Sequence, residues 1–306
     1  MSRALASSAA PRPARPVSRR APRAARSLPR ASALRVTPPA ASSPDETRRG
    51  SAAWGDAWGS VADPNTRVAY VDDAERDALR RSLARSGLFE TLEATADEFT
   101  LRGEMRAPDA RALADRDLLA GDERADDDFD FAFARVGLAD ALASTPLPPG
   151  VSPARLALGI AELERDVARV CSAYCASVGS PSAVFELSLL RRTLCSKLHV
   201  DHVPLRVMVT YFGAGTEVLS QGASDAVARL LTPGARFVGE AAKGVAMRAS
   251  RRRSARECEV VLMKGERWPG NEGRAIVHRS PDVDGCCGEW RLCLKVDEPK
   301  FVNDVE

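Results

Sequence analysis

The apolar positions of this chain change their period once, near residue 180. Between residues 152 and 179, Leu156, Ile160, Leu163, Val167, Val170 and Tyr174 recur at steps of four and three, which predicts one long amphipathic helix. Ser152 and Pro153 mark its start, as cap and first helical residue, and Gly179-Ser180-Pro181 its end. From residue 182 the period drops to two. Phe185, Leu187 and Leu189 alternate with Val184, Glu186 and Ser188, and short β-rich runs follow at 205–211, 259–264, 275–278 and 291–296, bounded by Gly and Pro.

Upstream, Leu79, Leu83, Leu88 and Leu92 predict two helices between residues 73 and 100, broken near Gly87. An extended stretch at 67–71 precedes them, and the pattern assigns no role to residues 51–72. The acidic run Asp122–Asp130 leads into Phe129, Phe131 and Phe133 and reads as a solvated loop, as does the basic stretch Arg248–Arg256. Helices first and strands afterwards predict an α+β protein: a helical N-terminal half packed on a C-terminal antiparallel jelly-roll barrel of the double-stranded β-helix kind. The divisions expected are a disordered basic segment at 1–50, a mixed helical region at 51–150, and the long helix with the barrel at 151–306.

Charge sharpens the first of these divisions. The formal net charge is only +2, yet residues 1–44 carry nine arginines, from Arg3 to Arg35, and no acid before Asp45. The rest of the chain is therefore net acidic, which argues against a nucleic-acid partner. The N-terminal stretch is Arg-, Ser- and Pro-rich without aromatics and cannot bury enough surface to order itself. Its composition is that of a transit peptide, for a plastid or alternatively a mitochondrion, the other reading being a disordered basic arm that binds nucleic acid or an acidic partner. No window approaches the run of about 18 apolar residues that a membrane span needs, so a transmembrane function is excluded. The seven cysteines include no CxxC pair and read as reduced thiols, with Cys171 and Cys175 as packing residues on one helical face.

Candidate chemistry gathers where the strands begin. The three histidines are His199, His202 and His278. In extended geometry His199 and Asp201 share a face while His202 points away. With His278 from a distant strand they make two imidazoles and one carboxylate, a set that caps one face of an Fe(II) ion and leaves other positions open. Arg291 opens the last strand, where its guanidinium suits one carboxylate of a dicarboxylic co-substrate. Pro204 breaks the face parity after Asp201, so Arg206 stays a second candidate for that anchor. Thr210 and Tyr211 are candidates to reach a bound co-substrate, and Arg279 is either a surface residue or a partner of Asp282. Gly213-Ala-Gly215 reads as a turn, and neither a P-loop nor a GxSxG elbow occurs.

The order His-x-Asp, distant His, Arg resembles that of the Fe(II)/2-oxoglutarate-dependent oxygenases over roughly residues 182–298. Leu198-His-Val-Asp201, Thr210-Tyr-Phe-Gly-Ala-Gly-Thr216, Lys264-Gly265 with Trp268, and His278-Arg-Ser-Pro281 further resemble the family called domain of unknown function 1826, over roughly residues 150–298. The first resemblance implies an oxygenase with Fe(II) and 2-oxoglutarate as cofactors, acting on an unknown small-molecule or protein substrate. The second implies a rival: a non-catalytic metal-homeostasis protein of the same fold holding Zn(II).

Overall fold

The computed structural model describes residues 51–114, 136–228, 252–283 and 289–300. The N-terminal arm, the acidic run with its phenylalanines, the start of the 248–256 stretch, and Cys286 with Cys287 lie outside the described residues.

The long helix forms as its periodicity predicts. Helix α6 is preceded by α1 (Trp54–Ser60), α2 (Ala74–Ser86), α3 (Leu88–Glu93), α4 (Ala107–Ala114) and α5 (Leu138–Leu142), and itself runs Pro153–Val178. Pro153 at its first position pre-sets the backbone, and Gly179 closes it in the left-handed conformation at φ 66°. Ser152 makes no side-chain capping bond, contrary to expectation. All six residues of the predicted stripe are buried, as are Cys171 and Cys175, whose thiols burial pushes up. Among the described residues the five cysteines are free thiols, and no helix is long and apolar enough to cross a membrane.

That stripe lies on a seven-stranded sheet of order β1-β2-β8-β5-β10-β4-β3, with β1 (Ser51–Ala52), β2 (Val68–Val71), β3 (Phe99–Arg106), β4 (Ser182–Leu190), β5 (Leu205–Phe212), β8 (Val260–Lys264) and β10 (Arg291–Asp297). Every pairing is antiparallel except β1 with β2. The outer face carries Phe185, Leu187, Leu189, Val207, Val209, Val260, Leu262, Leu292, Leu294 and Val296, which join the α6 stripe in the main core. A smaller sheet, β7 (Arg252–Ser254), β6 (Glu217–Leu219) and β9 (His278–Arg279), covers part of the inner face. Val218 of this sheet and Ile276, just before β9, pack against Tyr70, Val261 and Met263 of the large sheet. Helix α7 (Gln221–Ala228) follows β6.

Three expectations change. The N-terminal half is not only helical, since β1, β2 and β3 build both edges of the large sheet. Strand β3 was legible: Phe99, Leu101 and Met105 alternate with Thr100, Arg102 and Glu104, interrupted at Gly103, where a Cβ would meet the Phe185 ring at 2.7 Å. No barrel closes, because no ladder joins the edges of the two sheets among the described residues. Of the basic stretch, Arg252–Ser254 is a strand, and Arg253 pairs with Glu259 and stacks 3.8 Å over the Tyr70 ring.

Candidate metal centre

The chain reaches the site as two short extended segments. His199 and His278 face each other as an antiparallel pair and exchange both backbone hydrogen bonds at 3.0 Å. Directly opposed residues project to the same side of a ladder, and the two rings lie 4.4 Å apart. Two residues on, Asp201 projects to the same side. Its Oδ2 lies 3.1 Å from His278 Nε2 and its Oδ1 3.8 Å from His199 Nε2. One ligand atom from each of the three lies within 4.8 Å of the others, and all three side chains are buried.

Lys264-Gly265 explains itself here. Gly265 donates to Pro204 and Glu266 donates to the Asp201 carbonyl, at 2.9 and 2.8 Å. A Cβ on Gly265 would stand 2.2 Å from the Val203 carbonyl oxygen and 2.7 Å from that of Asp201. Only glycine lets this turn clamp the backbone that carries the carboxylate.

The imidazoles are oriented from behind. His199 Nδ1 lies 2.9 Å from the Lys197 carbonyl and His278 Nδ1 3.2 Å from that of Ile276. A neutral ring that donates from Nδ1 carries its lone pair on Nε2, the atom facing Asp201. Asp201 Oδ2 is buried without a well-aligned hydrogen bond, and the 3.1 Å approach of His278 Nε2 is one that a positive charge, a proton on the imidazole or a metal ion, makes favourable. Burial opposes the charge on Asp201, but Arg206, then His278 and His199, outweigh it and hold the carboxyl well below the usual range. Arg206 Nη1 donates to Asp201 Oδ1 at 2.6 Å, while its Nε and Nη2 donate to Asp297 at 2.9 and 2.7 Å.

Arg291 occupies the same inner face. It is 1% exposed, and its Nη2 donates to Thr216 Oγ1 at 3.0 Å and, at 3.4 Å, to Thr210 Oγ1. Its Nε is buried without a partner, and no carboxylate pairs with it among the described residues. The segment 210–216 holds this arginine from both ends. Gly213, at φ 82°, permits the approach, since a Cβ there would meet the Trp290 carbonyl oxygen at 2.4 Å. A buried guanidinium without a counter-ion is costly unless an anion joins it.

The structure thus brings His199, Asp201 and His278 together and leaves Arg291 without a carboxylate partner among the described residues. Arg206 is not an open anchor: Asp201 and Asp297 already occupy it. Tyr211 is corrected as well. It lies on the opposite face of β5, where its hydroxyl donates to Asp166 at 2.7 Å, and Asp166 in turn pairs with Arg76 of α2. Arg279 pairs with Glu217, not Asp282. Sequence reasoning missed Asp297 and Thr216. The alternation Arg291, Cys293, Lys295, Asp297 along β10 was the available signal for Asp297, whereas nothing local pointed to Thr216.

Among solved structures the chain is similar to a dioxygenase for auxin oxidation from Arabidopsis thaliana in its 2-oxoglutarate complex, at 8% identity and TM-score 0.31, covering 79% of this chain and 86% of that one. It is also similar to the Fe(II)/α-ketoglutarate-dependent dioxygenase TqaL, at 13% identity and TM-score 0.37 over 82% and 92% of the two chains. A bsmA homolog from Methylobium petroleophilum PM1 matches at 13% identity and TM-score 0.36 over 81% and 94%. With scores this low, the reading of the site rests on its own residues. No curated protein matches. Residues 152–297, which contain the whole His199, Asp201, His278 and Arg291 constellation, match the family described as Protein of unknown function (DUF1826).

Proposed function

We propose that this protein is an Fe(II)/2-oxoglutarate-type oxygenase, with His199, Asp201 and His278 as metal ligands and Arg291 as the anchor for the distal carboxylate of 2-oxoglutarate. The observation that carries the reading is the pairing of a buried two-histidine, one-carboxylate cluster with a buried arginine on the same inner face that lacks a carboxylate partner among the described residues. The donor set suits the metal: two neutral imidazole nitrogens aimed by backbone carbonyls, and a carboxylate oxygen without a hydrogen bond. Fe(II) held there together with 2-oxoglutarate supplies the oxidation of a second substrate by dioxygen.

The chain's own part is placement. Lys197 and Ile276 carbonyls fix the imidazoles, the Gly265 turn fixes Asp201, and Thr210 with Thr216 fixes the guanidinium of Arg291. A carboxylate meeting Arg291 gains a charge-assisted hydrogen bond and removes the cost of an uncompensated charge. The two sheets, packed through Tyr70, Val218, Val261, Met263 and Ile276, are read as an open form of the double-stranded β-helix. The Zn(II) storage reading leaves the buried Arg291 unexplained, since holding a metal alone requires no anion pocket beside it. Import into a plastid, or alternatively a mitochondrion, is the role proposed for the acid-free N-terminal residues.

Anaerobic titration of the protein with Fe(II) and 2-oxoglutarate tests the reading: a weak charge-transfer absorption band is expected, with succinate released once air is admitted. Absence of both overturns it.

A further inference from the structure

We propose that Arg206 is a positioning residue of the metal centre: held by Asp297, it occupies Oδ1 of Asp201 and so confines this carboxylate to monodentate binding through Oδ2. The inference rests on the metal-centre reading above and deepens it. A carboxylate has two oxygens and can close on a metal with both, which uses a coordination position that an open site needs for its other ligands. Here the two oxygens are not equivalent. Oδ1 accepts from Arg206 Nη1 at 2.6 Å, whereas Oδ2 has no hydrogen bond and faces His278 Nε2 at 3.1 Å.

The guanidinium is itself fixed. Its Nε and Nη2 make a two-pronged contact with Asp297 at 2.9 and 2.7 Å, which sets the plane in which Nη1 points. All three side chains are buried, with Asp297 3% exposed, so water does not substitute for the fork. Arg206 and Asp297 stand at the same level of adjacent strands β5 and β10, one step beyond the pair Val207 and Val296. The β10 strand that begins with Arg291 therefore ends with the residue that aims Asp201: one strand serves both ends of the site. A lysine cannot replace Arg206, because a single ammonium at the end of a flexible stem does not reproduce a planar fork bonded on two sides.

The test uses the full chain with Co(II) or Zn(II) alone as probe, in wild type, Arg206→Lys and Asp297→Asn. Arg206→Lys keeps the positive charge, so a change in metal binding reports orientation and not electrostatic repulsion. Both variants are expected to weaken Co(II) binding by about 10- to 100-fold, the usual cost of losing an outer partner of a ligand. Both are also expected to alter the intensity of the Co(II) d–d bands as Asp201 turns. In wild type, the side-chain nitrogen resonances of Arg206 should shift when Zn(II) is added. This last measurement decides the matter if either variant fails to fold. An Arg206 that merely supports the fold lowers the melting temperature but leaves the Co(II) spectrum of the folded variants and the Arg206 resonances unchanged, and that result overturns the proposal. Wild type that binds neither metal overturns the metal centre itself, and this inference with it.

Discussion

His278 Nε2 and Asp201 Oδ2 stand 3.1 Å apart in a buried site, while the rest of both side chains is held by other partners. Such an approach is favourable only with a positive charge between or beside the two atoms, either a proton or a metal ion. The following expectations start from it.

Replacing His278 by Ala is expected to weaken Co(II) or Fe(II) binding by at least about 100-fold, the upper end of what changes outside the ligand set cost. Truncating the nearby half-buried His202 should leave it unchanged. Isothermal titration of the three proteins with metal alone checks this, and equal affinities would remove His278 from the ligand set.

Arg291→Met should separate binding from stability. Losing a charge-assisted hydrogen bond is worth about 1.5–3 kcal/mol, so the Kd for 2-oxoglutarate should rise roughly ten- to a hundredfold with metal affinity unchanged. The ligand-free variant should melt no lower than wild type, because an uncompensated buried charge has been exchanged for an apolar side chain. A large drop in melting temperature would mean that Arg291 is a structural residue.

Tyr211→Phe is expected to leave the affinity for 2-oxoglutarate untouched and to cost about 1–3 kcal/mol of stability, since the Asp166 carboxylate loses a buried donor. Removing Arg76 should cost more, about 3–5 kcal/mol, by leaving Asp166 as a buried unpaired charge. Thermal melts and denaturant titrations measure both.

Gly265→Ala should act on the site through the backbone. Its Cβ meets the carbonyls of Val203 and Asp201, so the strand end must shift, at a cost of about 1–3 kcal/mol, and metal affinity should fall although no ligand has changed. Wild-type metal affinity in this variant would contradict the clamp.

Acid should release the site before metal is added. The folded-state pKa of Asp201 lies below its unfolded value because Arg206 and the two imidazoles overcome burial. Between those two values the unfolded chain binds more protons, so stability rises with pH through that interval. The contribution is present above the usual carboxylate pKa and is lost as pH falls toward the lowered folded value. Melting temperature against pH in metal-free protein should fall less steeply at the acid end in Asp201→Asn than in wild type.

Much of this was legible in the residues themselves. The stripe from Leu156 to Tyr174 could be nothing but a helix with one buried face, and the alternation at 184–189 nothing but a strand buried on one side, because 3.6 and 2 are the only periods that align side chains. His199 and Asp201 at i and i+2 follow from the same rule. Tyr211 failed for a related reason: the β5 register places it on the even step from Leu205 that faces α6, and Pro204 hid that parity. Arg206 failed because a guanidinium looks the same in sequence whether it awaits an anion or already has two.

The sequence by itself determined the segments and the chemistry they carry: the long helix, the strands, the histidines, the acid and the arginines, all expressions of short-range periodicity and side-chain type. Only the tertiary structure decided which groups meet. That Val218 pairs with His278, that Asp297 lies beside Arg206, and that Thr210 and Thr216 close on Arg291 are consequences of register between strands far apart in the chain. Register is fixed by packing of both sheet faces together, a sum over the whole core that no local window contains.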